Sequence, residues 1–431
     1  MKFFGTDGIR GIPNEKLTIE LMVQIGQALT CLENNTVCIA TDTRHSKILL
    51  ASGIIGGCLS RGMKVIYLGI MPTPALIYYA SIKKSIGVMI TASHNPYSDN
   101  GIKILNKGQK LNKEEEKRLE EEITNPNNGI YEVGTFERKD ISKEYMDFIL
   151  KFVEATPFKI AIDCAHGATY RLAPLIFEKM CKELIVIGNY PNGKNINLDC
   201  GSTHLEGLKK IVVNHQCDLG FAFDGDGDRI LAVDRYGNVI SGDEIIYIIA
   251  KYLKEENSLN HNQVVLSKMS NQGIINAFHK LGIEVLETEV GDKYIKEALD
   301  QYDISIGGEN SGHIIVPKYF HTGDGMLVGL LLMHILSKQN MEAHNALEEV
   351  VLYEDRLVNL KVSNKDVVLN DMRLKEEIEK IKQELNGDCK IIVRASGTED
   401  LIRVTVMTKR KEQASFYSQK LCDLIEEIDN E

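Results

Sequence analysis

Between residues 224 and 229 the chain reads DGDGDR, so Asp224, Asp226 and Asp228 alternate with glycines. Three carboxylates this close repel one another unless a cation neutralises them. The glycines let the backbone curl until all three side chains aim at one point. Hard oxygen donors select Mg2+ or a similar ion. An EF-hand does not fit, because that loop wants glycine sixth and glutamate twelfth, and counted from Asp224 those positions hold Arg229 and Arg235.

Three further stretches carry groups that handle phosphate and hydroxyls. RASGTED offers Arg394, Ser396, Gly397 and Thr398, with Arg403 close behind, a set of hydroxyl, backbone N–H and guanidinium donors suited to cradling a phosphate. It is neither a Walker loop nor a dinucleotide fingerprint. GGENSGH offers Glu309, Ser311 and His313, which suit the hydroxyls of a polyol or sugar. TASHNP places Ser93 beside His94. No G-x-S-x-G elbow surrounds Ser93, and adjacent side chains often diverge, so a Ser-His-Asp hydrolase is unsupported. Arg10 and Lys103 are further cations whose positions the sequence alone leaves open.

Each of these four loops follows an apolar strand-type run, GVMI, LGFAF, DISI or KIIV. Carboxyl ends of strands are where α/β sites lie. The elements upstream repeat three times, as an apolar β run, a small polar loop, an amphipathic helix, a break and a second β run. The units begin at NTVCIATDTRHS, FKIAIDCAHGA and NQVVLSKMSNQG, and their loops carry Asp42, Asp163 and Ser267. This is a βαβ unit used three times at domain spacing. It predicts three related α/β domains with mixed, mostly parallel sheets, over residues 1–152, 153–252 and 253–365. A small C-terminal α+β domain follows over 366–431, and all four surround a central cleft. The run KEEEKRLEEEI (113–123) reads as a solvated helix face, and GMLVGLLLMHIL (325–336) as a buried helix too short to span a bilayer.

Bulk composition narrows the function class. The chain has 431 residues, 43% hydrophobic and 26% charged, with a net charge of −11. That acidity argues against nucleic acid as a main partner. Nine scattered cysteines without CxxC spacing suggest free thiols in a reducing cytosol. The N-terminal MKFFGTDGIRG lacks an apolar signal region. A cytoplasmic protein with no membrane partner is expected. A metal loop, a phosphate loop, a polyol loop and a serine loop converging on one cleft suit phosphoryl transfer on a phosphorylated polyol.

The motifs FGTDGIRG, TASHNPYSDNGIK, NINLDCGSTH, DGDGDR, VGDKY, GGENSGH and RASGTEDLIRV, in this order over nearly the whole length, resemble the α-D-phosphohexomutase superfamily. CGSTH and VGDKY point to its branch that interconverts glucosamine 6-phosphate and glucosamine 1-phosphate, an isomerase feeding UDP-N-acetylglucosamine and cell-wall synthesis. The resemblance implies that Ser93 carries a phosphoryl group and that Asp224, Asp226 and Asp228, with the phosphoserine, hold one Mg2+ per chain. It further implies a sugar 1,6-bisphosphate as intermediate and activator. Arg10 and Lys103 match catalytic cations near the serine. Arg229, Glu309, Ser311 and His313 match substrate-binding positions. Arg394, Ser396, Gly397, Thr398 and Arg403 match the clamp on the phosphate that does not react. The expected partner is a small amino-sugar phosphate, and the expected assembly a homodimer. Competing readings are a sister mutase acting on glucose or mannose phosphates and a non-catalytic sugar-phosphate-binding protein. Intact Ser93 and three aspartates count against the latter. Three departures stand out: Asp400 replaces a proline and is expected to face solvent; Ile104 and Leu105 replace aromatics, a packing exchange; and Lys293 replaces an arginine, weakening any bidentate contact there.

Overall fold

The three βαβ units form as the pattern predicts. In the first, helix Lys47–Ser60 crosses between parallel strands Thr36–Thr41 and Lys64–Ile70. In the second, helix Leu172–Phe177 links Lys159–Asp163 to Glu183–Ile187. In the third, helix Gln272–Lys280 links Gln263–Ser267 to Glu284–Thr288. The leading strands are almost wholly buried, which is why they read as continuous β-branched runs and not as alternating patterns. The computed structural model describes residues 3–5, 8–126, 129–395 and 401–430.

Beside each leading strand lies a second parallel strand, whose chain then turns back antiparallel at the edge. Ile86–Ile90 returns as Asn100–Asn106, Leu219–Phe223 as Ile230–Asp234, and Gly307–Gly308 as Ile314–Ile315. The three sheets therefore share one strand order, extended by further edge strands in the first two. The serine, aspartate and sugar loops are the same connection in three copies. A strand-end loop that must return at once to its own sheet is short and held at both ends, which suits it to fixing a side chain.

One apolar core runs through the first three units. Helix Gly325–Lys338 is buried on nearly every side within it. Asp324 caps its start, accepting from Leu327 N at 3.1 Å and from the Tyr145 hydroxyl at 2.5 Å. Helix Lys113–Thr124 buries only Leu119 and Ile123, and its Glu120 accepts the N–H groups of Phe3 and Phe4 at 2.7 and 3.0 Å. Ile104 and Leu105 are buried, as a packing exchange requires. All nine cysteines are free thiols. Among the described residues no helix is long and apolar enough to cross a membrane.

The C-terminal unit has its own core around Val404, Val406, Leu421 and Ile425. Its sheet is antiparallel, with Leu401–Thr408 between Glu354–Lys361 and Cys389–Ala395. This corrects the boundary at 365, because strand Glu354–Lys361 pairs along its whole length with Leu401–Thr408 and belongs to the fourth unit. The stretch DRLVNLKVSN reads as the first element of the C-terminal tail, but as a mostly exposed edge strand it gives no sharp boundary in the sequence.

Candidate active site

Ser93 is the pivot. Its backbone is left-handed, with φ of 52°, an uncommon state for a residue with a side chain. Thr91 Oγ1 accepts the Ser93 N–H at 2.9 Å, and the Ser93 hydroxyl, 1% exposed, donates to Asp224 Oδ2 at 2.6 Å. His94 Nδ1 lies 3.4 Å from Ser93 Oγ, a much weaker contact. Burial, reinforced by Arg229 and Arg10, pushes the His94 imidazole down to about 4, so it is neutral at pH 7. Ser93 is therefore aimed at the aspartates and away from a Ser-His pairing.

The aspartate loop is fixed from its own backbone and from the first unit. Asp224 Oδ1 accepts the N–H groups of Gly227 and Arg229 at 3.0 and 3.2 Å. Asp226 Oδ2 accepts from the Thr73 hydroxyl at 2.6 Å and from Lys103 Nζ at 3.0 Å. Lys103 also reaches Asp228 Oδ2 at 3.3 Å. Burial, then the charges of Asp228 and Asp226, pushes the Asp224 carboxyl well above the usual range. Burial also acts to raise Asp228, but Lys103, His313 and Arg229 outweigh it and hold that carboxyl well below its ordinary value.

This donor set fits a hard divalent cation. One ligand atom from each aspartate lies within 4.8 Å of the others, and among the described residues this is the only such cluster. Asp226 Oδ1 and Asp228 Oδ1 are buried without a hydrogen-bond partner. Such acceptors carry a large desolvation cost unless something positive meets them.

A cleft of about 500 Å3 opens beside the loop, lined by Arg10, Lys16, Asp228, Arg229, Glu309 and His313 among others. Arg10 Nη1 lies 3.4 Å from Asn95 Oδ1 on the serine loop. His313 Nδ1 is 3.8 Å from Asp228 Oδ2; burial acts to lower the His313 pKa, but Asp228 and Asp292 together outweigh it and raise it. Glu309 is buried, and its Oε1 accepts Gly291 N–H at 2.9 Å. That bond ties the sugar loop to the VGDKY turn.

The structure thus brings together Ser93, Lys103, Arg10, the three aspartates, Arg229, Glu309 and His313. Ser311 is exposed and is not among the cleft's lining residues. Arg394 and Arg403 face each other across adjacent strands of the fourth unit, and neither lines the cleft. Burial, then the charge of Arg403, lowers the Arg394 pKa, as two like charges held close on neighbouring strands require. Ser396, Gly397, Thr398 and Asp400 lie outside the described residues. Lys293 lines the neighbouring cavities beside Asp292 and His313. The sequence assigns no role to Arg44, Thr73 or Asn197, the last within NINLDCGSTH; their polar groups hold the serine and aspartate loops. An arginine two residues after Asp42, in a loop that follows a buried strand, is the one signal that points to the first of them.

Family models match in chain order. The phosphoglucomutase/phosphomannomutase alpha/beta/alpha domains I, II and III match residues 1–129, 143–237 and 241–353, and the C-terminal domain matches 357–423. A phosphoglucosamine mutase of Caldicellulosiruptor bescii is 40% identical over 443 residues, covering 99% of both chains. One from Bacillus cytotoxicus is 40% identical over 441 residues, covering 98% of both. A phosphoglucomutase/phosphomannomutase family protein from Burkholderia thailandensis shares the fold with a TM-score of 0.82 at 21% identity, over 99% of this chain and 97% of that one. Aspergillus fumigatus N-acetylphosphoglucosamine mutase, solved with GlcNAc-6P and magnesium, superposes with a TM-score of 0.71 at 16% identity, over 100% of this chain and 96% of that one. Matched in each of its four units and by relatives of its own length, the chain belongs to the phosphoglucomutase/phosphomannomutase family.

Proposed function

We propose that this protein interconverts glucosamine 6-phosphate and glucosamine 1-phosphate through a phosphoserine at position 93 and a sugar 1,6-bisphosphate. The observation that carries the mechanism is the Ser93 hydroxyl, buried and hydrogen-bonded at 2.6 Å to the first of three clustered aspartates. The amino-sugar substrate is supported by relatives of that name at 40% identity over nearly the full chain.

Phosphoserine 93 transfers its phosphoryl group to the free hydroxyl of the bound sugar phosphate. The Ser93 O–P bond breaks and a sugar O–P bond forms. The proton lost by the sugar hydroxyl is balanced by one gained at Ser93 Oγ, and Lys103 is the group assigned to relay it. The bisphosphate then turns over and returns its other phosphate to Ser93. Asp224, Asp226 and Asp228 would hold a Mg2+ ion, which when bound supplies positive charge against that of the phosphoryl group. Arg10 and Arg229 add cations on the cleft wall. Glu309 and His313 on the cleft wall meet the sugar hydroxyls in either orientation, and Ser311, exposed on the same loop, is assigned to the same contact. Arg394 and Arg403, with Ser396, Gly397 and Thr398, hold the phosphate that does not react. The fourth unit has its own core, so it can close over the substrate as a body.

Nine free thiols suit the reducing cytoplasm. A homodimer is the expected assembly, and light scattering that gives the mass of one chain would exclude it. The substrate assignment is tested by comparing kcat/KM for glucosamine 6-phosphate, glucose 6-phosphate and mannose 6-phosphate. The amino sugar is expected to lead by about 10-fold or more, the low end of the discrimination that a single substrate group supports. A lead for the mannose compound would transfer the assignment to a sister mutase.

A further inference from the structure

The serine loop is held by a buried hydrogen-bond ring that none of the reacting groups requires. Arg44 is fully buried, and its guanidinium is spent entirely on holding structure. Nε donates to Asp42 Oδ2 at 2.8 Å. Nη1 donates to Pro96 O, and also to Asp99 O at 2.9 Å. Nη2 donates to Ser93 O at 3.0 Å and to Asn95 O at 2.8 Å. Four carbonyls of one loop thus converge on a single planar fork. Lysine, a point charge, has no such fork.

The ring closes through the serine's own N–H. Ser93 N donates to Thr91 Oγ1, and Thr91 Oγ1 donates to Asp42 Oδ2 at 2.7 Å. That is the oxygen that also holds Arg44 Nε. Both backbone polar groups of the left-handed Ser93 are therefore fixed by one network. The second unit adds a clasp. Asn197 Nδ2 donates to Ser93 O at 2.9 Å and to Asn95 O at 3.1 Å. The aspartate loop passes so close that a Cβ placed on Gly225 would lie 2.4 Å from Ser93 O.

We infer that Arg44, Thr91 and Asn197 are positioning residues for phosphoryl transfer. They hold Ser93 in its strained backbone state and register the serine loop of the first unit against the aspartate loop of the second. The inference rests on Ser93 being the phosphoryl carrier. Because transfer requires the reacting atoms in line, displacement of this loop by about 1 Å costs on the order of 100-fold in rate. Substrate binding, which depends on the cleft walls, is left nearly intact.

The test is a set of four variants of the full chain: Arg44→Lys, Asn197→Ala, Thr91→Val and Thr91→Ser. Steady-state kinetics are measured with circular dichroism and thermal melts on the same samples. Thr91→Val keeps the shape and removes the hydroxyl, whereas Thr91→Ser restores it. The expected result is a kcat about 100-fold lower in Arg44→Lys and at least about 10-fold lower in Asn197→Ala and Thr91→Val. KM stays within about threefold in all of them, and Thr91→Ser recovers most of kcat. If Arg44→Lys fails to fold, Asn197→Ala and the Thr91 pair decide. A wild-type kcat in Asn197→Ala and Thr91→Val overturns the inference. So does a Thr91→Ser variant as slow as Thr91→Val, or a loss of kcat that only tracks loss of folded protein. Wild-type enzyme that turns over without phosphate on Ser93 overturns both the inference and the phosphoserine reading. Wild-type enzyme that carries the phosphate while the variants match it overturns the positioning role alone.

Discussion

Replacing Thr73 by valine tests how the aspartate loop is prepared for its ion. Thr73 Oγ1 donates to Asp226 Oδ2 at 2.6 Å, between side chains that are 5% and 0% exposed. Valine keeps nearly the same shape and removes only the hydroxyl. The backbone bond from Thr73 N to Asp226 O, 2.9 Å, is untouched, so the start of helix Thr73–Lys83 should survive. A hydrogen bond to a buried charge contributes about 1.5–3 kcal/mol. At about 1.4 kcal/mol per factor of ten, its loss corresponds to roughly 10- to 100-fold. Groups that hydrogen-bond a metal ligand show the same range, about 10- to 100-fold in affinity. Lys103 still holds the same oxygen at 3.0 Å, which favours the lower half of that range. The assay is calorimetric titration of metal-free wild-type and Thr73→Val protein with Mg2+, alongside the Mg2+ dependence of turnover. The predicted result is a Kd about 10-fold weaker or more, with circular dichroism unchanged. A Kd within about twofold of wild type would refute the reasoning, because Asp226 would then be held without Thr73.

Two further predictions concern pH, and each has a definite sign. Burial raises the Asp324 carboxyl from its ordinary value of 3.8 to about 6. Its ionised form is thus disfavoured in the fold, and the stability linked to it is fullest below pH 3.8 and is lost as pH rises to about 6. The loss is at most about 3 kcal/mol at about 1.36 kcal/mol per pH unit. Asp324→Asn should flatten the melting temperature between pH 4 and 6; a curve parallel to wild type would contradict this. His94, held down to about 4 by burial and by Arg229 and Arg10, stays neutral from pH 5 to 8. The kcat/KM profile should therefore show no limb that disappears in His94→Asn, and such a limb near pH 6.5 would return His94 to a proton-transfer role.

Much of the site is legible in the sequence because chemistry concentrates on short strand-end loops. The spacing of Asp224, Asp226 and Asp228 already implies a cation, and the buried Oδ1 atoms of Asp226 and Asp228 agree. Ser93 is legible as a strand-end serine, but its direction is not, because that depends on Asp224, 131 residues away. Arg44, Thr73 and Asn197 are illegible for the same reason. Each acts on a loop distant in sequence, in the same unit for Arg44 and in the neighbouring unit for Thr73 and Asn197, and no local pattern encodes such a contact. The βαβ repeats are read correctly from apolar periodicity, whereas the exposed edge strand Glu354–Lys361 carries too little of it to show that it pairs forward, with Leu401–Thr408. Arg394 and Arg403 are adjacent in register, yet their place against the cleft depends on the orientation of a unit with a separate core.

The central claim, that Ser93 carries the phosphoryl group, is tested most directly by intact-mass spectrometry of freshly purified protein. A species about 80 Da heavier, the addition of one phosphoryl group, is predicted in wild type and absent from Ser93→Ala. Incubation of wild type with glucosamine 1,6-bisphosphate should enrich it. Ser93→Ala should lose turnover while still binding the sugar phosphate. The heavier species surviving in Ser93→Ala, or turnover surviving with it, would contradict the account.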